Sequence, residues 1–597
     1  MSQKNIRTIR LSESISPFGP GAVVDILGES FMATTGDHWP PARFRTQVNC
    51  ERLASKLGVQ ELWSPPSTGD AESARVVGLE FVRFPSWLFC QECRRMTQWT
   101  RKRESGSTPE CGDCGGRLVP MRFVCVCTEK SHASDVQWVE WVHRASGDGC
   151  SARDRLVFRP AMRGHGLNAL EVACEACSTT RALGDLRGDV LLREGFTCRG
   201  AQPWESGWGN CGKPLDVQQR GATSLNYGES VSAIDIPEVD GRAEELVEQI
   251  RRHPFFMALA GDPSSTLADQ VVAEIAAELK CPPSTVRAQL SIATSDDPQM
   301  RATKGSLLAE EFEAFVAAVA GTAPSQDFVT RIASVGDEAD TAGLNALLTR
   351  AVLVDRLREV RASVGFSRYR PDAEIVRSVP RDPTAARWLP AVEGFGEGVL
   401  VMFDGDAVDA WAAKPAVTKR AMQIDNNQTD SLLGRRLHES SAQYLLLHSF
   451  SHALTKELAF QSGYSAPSLR ERIYCEAEGD YGVFIYTTSS DIEGTLGGLV
   501  RQGEQPYLAL AIVRSLEQVV WCPNDPVCSE TQPQSIDGLN LAACHACMLA
   551  PETSCESSNL LLDRVLLVGD GTVPGFFQSV IDQVMEFSVL GTERRSE

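Results

Sequence analysis

Four cysteines near residue 100 have the spacing of metal ligands. Cys90 and Cys93 form "CQEC", and Cys111 and Cys114 form "CGDC" seventeen residues later. A gap of two residues lets a tight turn aim both thiolates at one ion, and two such pairs complete a tetrahedral zinc site without an open position. The spacing predicts a structural zinc ion here, with buried free thiols as the alternative.

A second group follows in the same cysteine-rich segment. Cys174 and Cys177 form the pair "CEAC", and Cys198 and Cys211 lie further along the chain. We predict that these four hold a second zinc ion, although the later two are widely spaced. The cysteines and histidines between the two groups could form another site, but small core residues are the favoured interpretation; they are Cys125, Cys127, Cys150, His132 and His143.

Five cysteines compete for four positions near the C-terminus. The favoured set is Cys528, Cys544, Cys547 and Cys555, with Cys522 as the substitute. We expect a closed zinc site whose role is to pin a helix that begins near Asn559 against its domain. Together the three groups predict two to three structural Zn²⁺ ions.

One pair of histidines offers the best case for an enzyme. His448 and His452 are four residues apart on a predicted helix, Lys456 follows one turn later, and a glycine-rich stretch at 494–498 could cradle a phosphate. A phosphodiesterase or nuclease is therefore one alternative, but a core-facing helix is favoured. The stretch "GWGNCGK" resembles half a phosphate-binding loop, yet Pro214 replaces the Ser or Thr that would bind Mg²⁺. Without an ATPase or protease motif, we predict a protein that is not an enzyme.

Charge is unevenly distributed along the 597 residues. The chain carries a net charge of −20, but residues 81–220 contain 20 Lys and Arg against 16 Asp and Glu. Contacts to nucleic-acid phosphates need Lys and Arg, so this segment is the better candidate for touching DNA. The candidate contacts are Arg94, Arg95, Arg101, Lys102 and Arg103. A neutral zinc module bathed in solvent is the alternative.

Hydrophobic patterns predict a multidomain α+β protein with a zinc-ribbon-like N-terminal module, a helical middle and a mixed α/β C-terminal zinc-binding domain. Helices are predicted in 240–365, including 344–366, and a β-hairpin is predicted before the helix near 405. The expected domains are a β-rich segment (1–80), a cysteine-rich module (81–235), an acidic helical domain (236–365), a mixed connector (366–440) and the C-terminal domain (441–597).

The N-terminal sequence "MSQKNIRTIRLSES" lacks the apolar core of a signal peptide, and no long apolar run predicts a membrane helix. The expected compartment is the cytoplasm, without membrane association. Thiols stay reduced there, which favours metal binding over disulfides.

Several long motifs resemble the DrmB family of the DISARM anti-phage defence system. They occur in the family's order and cover nearly the whole chain: "PFGPGAVVD", "RFPSWLFC", "RFVCVC", "HASDVQWVEWVH", "RGATSLNY", "RLREVRASVGFSR", "WLPAVEGFGEGVL", "LLHSFSHAL" and "AACHACMLAPETSCESSNLLLDR". The last part also resembles the zinc-binding domain that ends MrfA-type DNA-repair helicases. That domain takes four cysteines, which supports a site within 528–555.

The resemblance implies a non-motor role in antiviral defence. DrmB-like proteins pair with a separate helicase subunit, DrmA, to bind invading DNA, and a methyltransferase and further subunits complete these restriction-modification-like complexes. The expected function is therefore a helicase-associated, zinc-binding accessory subunit that reaches DNA through the complex. A purely structural zinc scaffold is kept as a further alternative.

Overall fold

The computed structural model of the chain describes residues 9–66, 78–104, 107–144, 150–161, 163–205, 207, 209, 211–236, 249–250, 253–261, 268–279, 283, 286, 300–320, 327–336, 343–379, 387–477, 479–489, 496–530 and 533–593. The chain forms two compact units, each assembled from separate segments. Unit 1 comprises Met1–Asn49, Gln60–Val231 and Arg361–Val392, and unit 2 comprises Cys50–Val59, Ser232–Val360 and Glu393–Glu597. The five consecutive domains expected from the sequence stay a prediction.

Unit 1 is built mainly from short antiparallel strands. Its strands are Val23–Ile26, Glu29–Ala33, Thr46–Gln47, Glu61–Ser64, Phe81–Arg83, Trp87–Cys90, Met96–Gln98, Leu118–Pro120, Phe123–Cys127, Ala133–Asp135, Leu156–Pro160, Leu170–Cys174, Thr180–Ala182, Leu215–Gln219 and Val376–Arg377, and its helices are Trp138–His143 and Gly188–Arg193. The boundary between a segment of unit 1 and a segment of unit 2 falls within each of three strands: Tyr227–Ile234, Leu348–Ser367 and Trp388–Phe403.

Three of the small sheets in unit 1 share one design. Each has three strands, and the central strand ends on a cysteine: Trp87–Cys90, Phe123–Cys127 and Leu170–Cys174. The apolar residues of these strands pack into buried cores. This packing fixes the position of the cysteine side chain at the end of each strand. The sheets therefore position one ligand of each of the three cysteine clusters in this unit.

Unit 2 is mainly helical around a large apolar core. Its helices are Glu51–Lys56, Pro254–Gly261, Ala268–Glu278, Met300–Val319, Gly405–Ala412, Pro415–Asp430, Ala442–Ser462, Gly498–Gln502, Tyr507–Val520, Val527–Glu530, Val565–Val568 and Gln578–Glu593, and its strands are Phe328–Ala333, Leu469–Tyr474 and Gly482–Ser489.

The central element of unit 2 is the helix Ala442–Ser462, which we call the histidine helix. The Ser441 side chain caps its first turn, and Gly463 ends it in a left-handed conformation. It packs against the helix Tyr507–Val520 and against two strands, and most of its residues are buried. A helix that is buried nearly all round has no polar face to expose its histidines to solvent.

The prediction of a helix over 344–366 was wrong, because Leu348–Ser367 is a single strand of 20 residues. Burial is almost continuous along it, so the alternation typical of a half-exposed strand is missing. A continuous apolar run cannot be distinguished from a buried helix by periodicity alone. The β-branched residues Val352, Val354, Val360 and Val364 favour the strand.

The predicted β-hairpin before residue 405 is instead one strand, Trp388–Phe403. Gly396 and Gly398 look like turn residues in the sequence. In the structure they allow close strand contact, since a Cβ atom on Gly396 would lie 1.6 Å from the Thr487 carbonyl oxygen.

The helix predicted near Asn559 does not form either. Ser558, Asn559 and Leu561 have positive φ angles of 54°, 59° and 63°, and the next helix is the short Val565–Val568. These left-handed residues make turns that bury Leu560 and Leu561.

A membrane-spanning helix needs a long, predominantly apolar stretch, and none of the helices in the described part of the chain has one.

Candidate metal centres

The described residues contain five groups of side chains whose ligand atoms lie within 4.8 Å of one another. Four thiolates around one Zn²⁺, with Zn–S bonds of about 2.3 Å, are separated from each other by about 3.8 Å. Sulfur atoms separated by about this distance therefore fit a shared zinc ion.

The ribbon cluster consists of Cys90, Cys93, Cys111 and Cys114, as the sequence predicts. The Sγ atoms of Cys90 and Cys114 are 3.5 Å apart, and those of Cys93 and Cys111 are 3.6 Å apart. The backbone N–H of Glu92 also points at the Cys90 sulfur, at 3.4 Å. The separation and the N–H donor fit four thiolates around zinc.

The second cluster consists of Cys127, His132, Cys198 and Cys211. The sulfurs of Cys127 and Cys211 are 3.9 Å apart, and His132 Nδ1 lies 3.4 Å from the Cys198 sulfur. A hydrogen bond from Cys198 is the main influence on Cys127 and lowers the pKa of that thiol to about 3. A thiolate is the form that binds a metal, so this Cys₃His set also fits zinc.

The third cluster consists of His143, Cys150, Cys174 and Cys177. The short helix Trp138–His143 fixes the histidine by burying Trp138 and Trp141 beneath it. His143 Nδ1 lies 2.6 Å from the Val139 carbonyl oxygen, so it donates there and leaves Nε2 to serve as the ligand.

The predicted grouping of Cys174 and Cys177 with Cys198 and Cys211 is therefore corrected. The two pairs belong to different clusters, because their chain segments end at different sheets. Each pair is completed by residues that were assigned to the core, namely Cys127 and His132 for one, and His143 and Cys150 for the other. Cys125 remains a buried core residue on the same strand as Cys127.

The C-terminal thiol cluster consists of Cys522, Cys528, Cys544 and Cys547. Sulfur separations are 3.5 Å for Cys522 and Cys544 and 3.7 Å for Cys528 and Cys547. Burial opposes ionisation of Cys544, but hydrogen bonds led by that of the Asn524 amide lower the pKa of this thiol to about 6. The predicted set changes in one place: Cys522 replaces Cys555.

Cys555 joins a fifth group instead, the buried histidine cluster, with His448, His452 and Glu471. His448 Nε2 lies 3.2 Å from the Cys555 sulfur and 3.1 Å from Glu471 Oε1. His452 Nε2 lies 3.5 Å from the same carboxylate oxygen. The Cys555 sulfur therefore lies against the histidine helix and not among the other thiols.

The residues suggested for a nuclease are enclosed. The exposed fractions of His448 and His452 are 0% and 1%, and the Lys456 ammonium donates to the Cys547 carbonyl oxygen at 2.7 Å. No phosphodiester could reach these groups in this conformation, and residues 490–495 of the glycine-rich stretch lie outside the described part of the chain.

The five basic residues suggested for DNA contact have different surroundings. Arg94, Lys102 and Arg103 are exposed. Arg101 is exposed too, but its guanidinium donates to the Trp204 carbonyl oxygen at 2.8 Å. Arg95 is paired with two carboxylates, Asp113 at 3.2 Å and Glu175 at 3.1 Å, so its charge is already neutralised.

A backbone signal marks the three closely spaced cysteine pairs of unit 1, but not the pair Cys544 and Cys547 of unit 2. The residue after the second cysteine of a pair has a positive φ angle at Arg94, Gly115 and Ser178, with values of 63°, 73° and 62°. A glycine in the sequence indicates that a residue can adopt a positive φ angle, whereas an arginine or a serine gives no such indication. The two histidine ligands carry no spacing signal, which is why the sequence assigned them to the core.

Comparison with known proteins agrees with this arrangement. Residues 10–227 match a domain of unknown function, DUF8724, and residues 450–548 match the MrfA Zn-binding domain. The second match contains all four members of the C-terminal thiol cluster and ends before Cys555. The chain thus has a C-terminal zinc-binding domain, and its clusters are suited to structural zinc ions.

One relative matches along most of the chain. The DISARM protein DrmB of Bacillus paralicheniformis is 30% identical over 539 residues, which cover 84% of this chain and 91% of that protein. A match of that extent is longer than either domain match, so the likeness is not confined to one of those two domains. The chain belongs to the DrmB family of DISARM anti-phage proteins.

Proposed function

We propose that this chain is the non-motor accessory subunit of a DISARM-type complex, that it partners a DrmA-like helicase and that it helps to bind invading DNA. The observation that carries the proposal is the likeness to DISARM protein DrmB over 84% of the chain. The complex would act in the cytoplasm, and a methyltransferase of the same system is a further candidate partner.

The metal centres support a role without catalysis of its own. Each thiol cluster has four protein ligands, and a zinc ion with four protein ligands has no position for a substrate or an activated water. Two residues of the stretch that resembles a phosphate-binding loop have other partners. Cys211 belongs to the second cluster, and Lys213 pairs with Glu129 at 2.7 Å.

The ribbon cluster supports the contact with DNA. Arg94 follows Cys93 directly, and Lys102 and Arg103 lie in a short turn after the strand Met96–Gln98 of the same sheet. A metal-braced sheet holds such side chains at fixed separations, which lowers the entropy lost when they meet phosphates.

The first test is DNA binding by fluorescence anisotropy across a range of salt concentrations. It compares the chain alone, a DrmA-like helicase alone, and the two together. We expect weak binding by the chain alone and a higher affinity for the pair than for the helicase alone. No change in affinity in either setting would overturn the proposal and favour a structural scaffold.

The second test reverses charge at the ribbon cluster. The double variant Lys102→Glu/Arg103→Glu should weaken binding by the pair and reduce the slope of log K against log salt by about one for each lost phosphate contact. Lys414→Glu/Lys419→Glu is the matched control, because both lysines are exposed and lie at the start of, or on, the helix Pro415–Asp430 of unit 2. Equal effects of the two reversals would show a general loss of charge rather than a contact.

A further inference from the structure

We propose that the buried histidine cluster is a second metal centre of the C-terminal region, in which His448, His452, Glu471 and Cys555 hold one structural Zn²⁺ ion. It is separate from the C-terminal thiol cluster, since the two share no ligand. It also lies partly outside the matched zinc-binding domain, which ends at residue 548.

Both histidines are oriented as metal ligands. His448 Nδ1 lies 3.1 Å from the Leu561 carbonyl oxygen, and His452 Nδ1 lies 3.0 Å from the Met548 carbonyl oxygen. A carbonyl can only accept, so each Nδ1 carries the proton and each Nε2 keeps a lone pair. Both Nε2 atoms face the Glu471 carboxylate, and metal-binding histidines in proteins are held by such a bond at the other nitrogen.

The carboxylate and the thiol are oriented in the same manner. Ser451 donates to Glu471 Oε2 at 2.5 Å, which leaves Oε1 directed at the two histidines. The backbone N–H groups of Ser557 and Asn559 both point at the Cys555 sulfur, at 3.3 Å each. N–H groups aimed at a sulfur stabilise a thiolate, as the Glu92 N–H does at Cys90 in the ribbon cluster.

Charge balance favours a divalent cation. A carboxylate and a thiolate bring two negative charges into a region where Glu471 is 3% exposed and His448 is 0% exposed. Uncompensated charges are costly in such surroundings, and one Zn²⁺ with two neutral imidazoles leaves the centre neutral. Two nitrogens, one sulfur and one oxygen suit zinc, whereas Mg²⁺ and Ca²⁺ prefer all-oxygen sites.

The centre would tie the histidine helix to the loop of the thiol cluster. His452 bonds to the backbone of Met548, and Lys456, one turn later, bonds to the backbone of its neighbour Cys547. Glu471 arrives from the strand Leu469–Tyr474, and Cys555 from the segment after the thiol cluster. One ion would thus join three separate parts of the chain.

The decisive experiment is a crystal of the full chain, with anomalous difference maps collected above and below the zinc absorption edge. We expect a peak between the four side chains that vanishes below the edge, alongside peaks at the thiol clusters. Peaks at the thiol clusters with none here would overturn the proposal. Because it uses the unmodified protein, this test does not depend on any variant that fails to fold.

Metal content gives an independent check. Cys555→Ala should lower the zinc content of the purified chain by one ion per molecule, as measured by inductively coupled plasma mass spectrometry. Cys475→Ala is the control, because Cys475 is a free thiol outside every cluster found among the described residues, and it should change nothing. A Cys555→Ala protein that folds and keeps its full zinc content would also overturn the proposal.

Discussion

The cysteine-rich sheets of unit 1 and the helical core of unit 2 use cysteine ligands in opposite ways. In unit 1, strands of three to five residues surround three clusters, and Cys93 and Cys114 are exposed. In unit 2, a helix of 21 residues lies in a large apolar core, and the clusters lie at its side. The apolar cores around the clusters of the first region are smaller than the core of the second.

This contrast indicates what the ions contribute. A small sheet cannot bury enough apolar surface to offset the entropy lost on folding, so its metal must supply folding free energy. The core of unit 2 has ample burial, so its metals fix the position of particular segments, such as the turns after Cys544 and Cys555. The same donor chemistry therefore serves folding in one region and positioning in the other.

Metal removal should give the largest effect on folding. It tests directly whether unit 1 depends on its metals for folding and unit 2 does not. Structural zinc binding contributes apparent free energies of about 10–16 kcal/mol in small zinc domains. A strong chelator should therefore unfold the three cysteine-bearing sheets of unit 1 and leave the core of the histidine helix protected. Hydrogen–deuterium exchange, followed peptide by peptide, measures this directly.

The control is the same treatment with chelator already saturated by zinc, which should change nothing. Equal loss of protection in Trp87–Cys90 and in Ala442–Ser462 would contradict the proposed difference between the units. Protection retained in both would show that neither depends on a metal.

A buried ion pair tests the other side of the comparison, the core of unit 2. Arg472 is buried, with Glu311 at 2.7 Å and Glu359 at 3.4 Å. Burial opposes the charge of Arg472, but Glu311 outweighs it and holds the pKa well above its usual value. Arg472→Ala removes a buried cation from Glu311 and Glu359, while Arg52 still contacts Glu311 at 3.1 Å. We expect the variant to lower the free energy of unfolding by about 3–5 kcal/mol.

Arg331→Ala is the matched control, since this arginine also contacts two carboxylates, Asp355 and Glu504, but its side chain is 44% exposed. An exposed pair is worth about 0–1 kcal/mol, so the variant should be close to wild type. Denaturant titration that follows the unfolding of unit 2 measures both. A similar small loss in the two variants would mean that burial does not set the strength of these pairs.

The sequence predicts the two regions unequally well, for physical reasons. The pair Cys90 and Cys93 with Cys111 and Cys114 is local, and its spacing alone identifies the ribbon cluster. His132 and His143 are brought to their clusters by tertiary structure, which leaves no trace in spacing. In unit 2 the histidine helix was predicted from its pattern, but the strand Leu348–Ser367 was not, since burial on both faces removes the period of two.

Cys555 shows the same limit at the level of one residue. Spacing places it with Cys544 and Cys547, eight to eleven residues away, yet the left-handed turn at Ser558 and Asn559 belongs to a segment that carries it to His448. Only long-range packing decides between the two destinations. Sequence therefore identified the kind of ligand here, and the fold decided which cluster it joins.

Gly116 provides a smaller test within the ribbon cluster. A Cβ atom added at this residue would lie 2.9 Å from the Cys90 sulfur and 2.8 Å from the Glu92 Cγ atom, so Gly116→Ala must displace a ligand. We expect a loss of about 1–3 kcal/mol in the stability of the metal-bound sheet. Gly112→Ala is the control, since no atom lies within 4 Å of its added Cβ. Zinc release against a competing chelator, measured at increasing temperature, separates the two, and equal release would contradict the packing argument.

The smallest expected effects come from hydrogen bonds to the cysteine ligands, and these compare the two units directly. Thr179 is the main influence on Cys177 in unit 1 and lowers the pKa of that thiol to about 6, and its hydroxyl lies 3.3 Å from the sulfur. The Asn524 amide donates to the Cys544 sulfur in unit 2, also at 3.3 Å.

Thr179→Val and Asn524→Ala each remove one such contact. Each thiol should then regain its proton more readily and bind zinc less tightly. The loss is expected to be at most about 10–100-fold and to grow as the pH falls toward the thiol pKa, because protons then compete with the metal. If metals drive folding in unit 1 but only position segments in unit 2, a comparable loss of zinc affinity should have different results at limiting zinc. Unit 1 should become sensitive to proteolysis in Thr179→Val, whereas unit 2 should stay resistant in Asn524→Ala. Equal resistance in both variants would leave the two kinds of cluster with the same role.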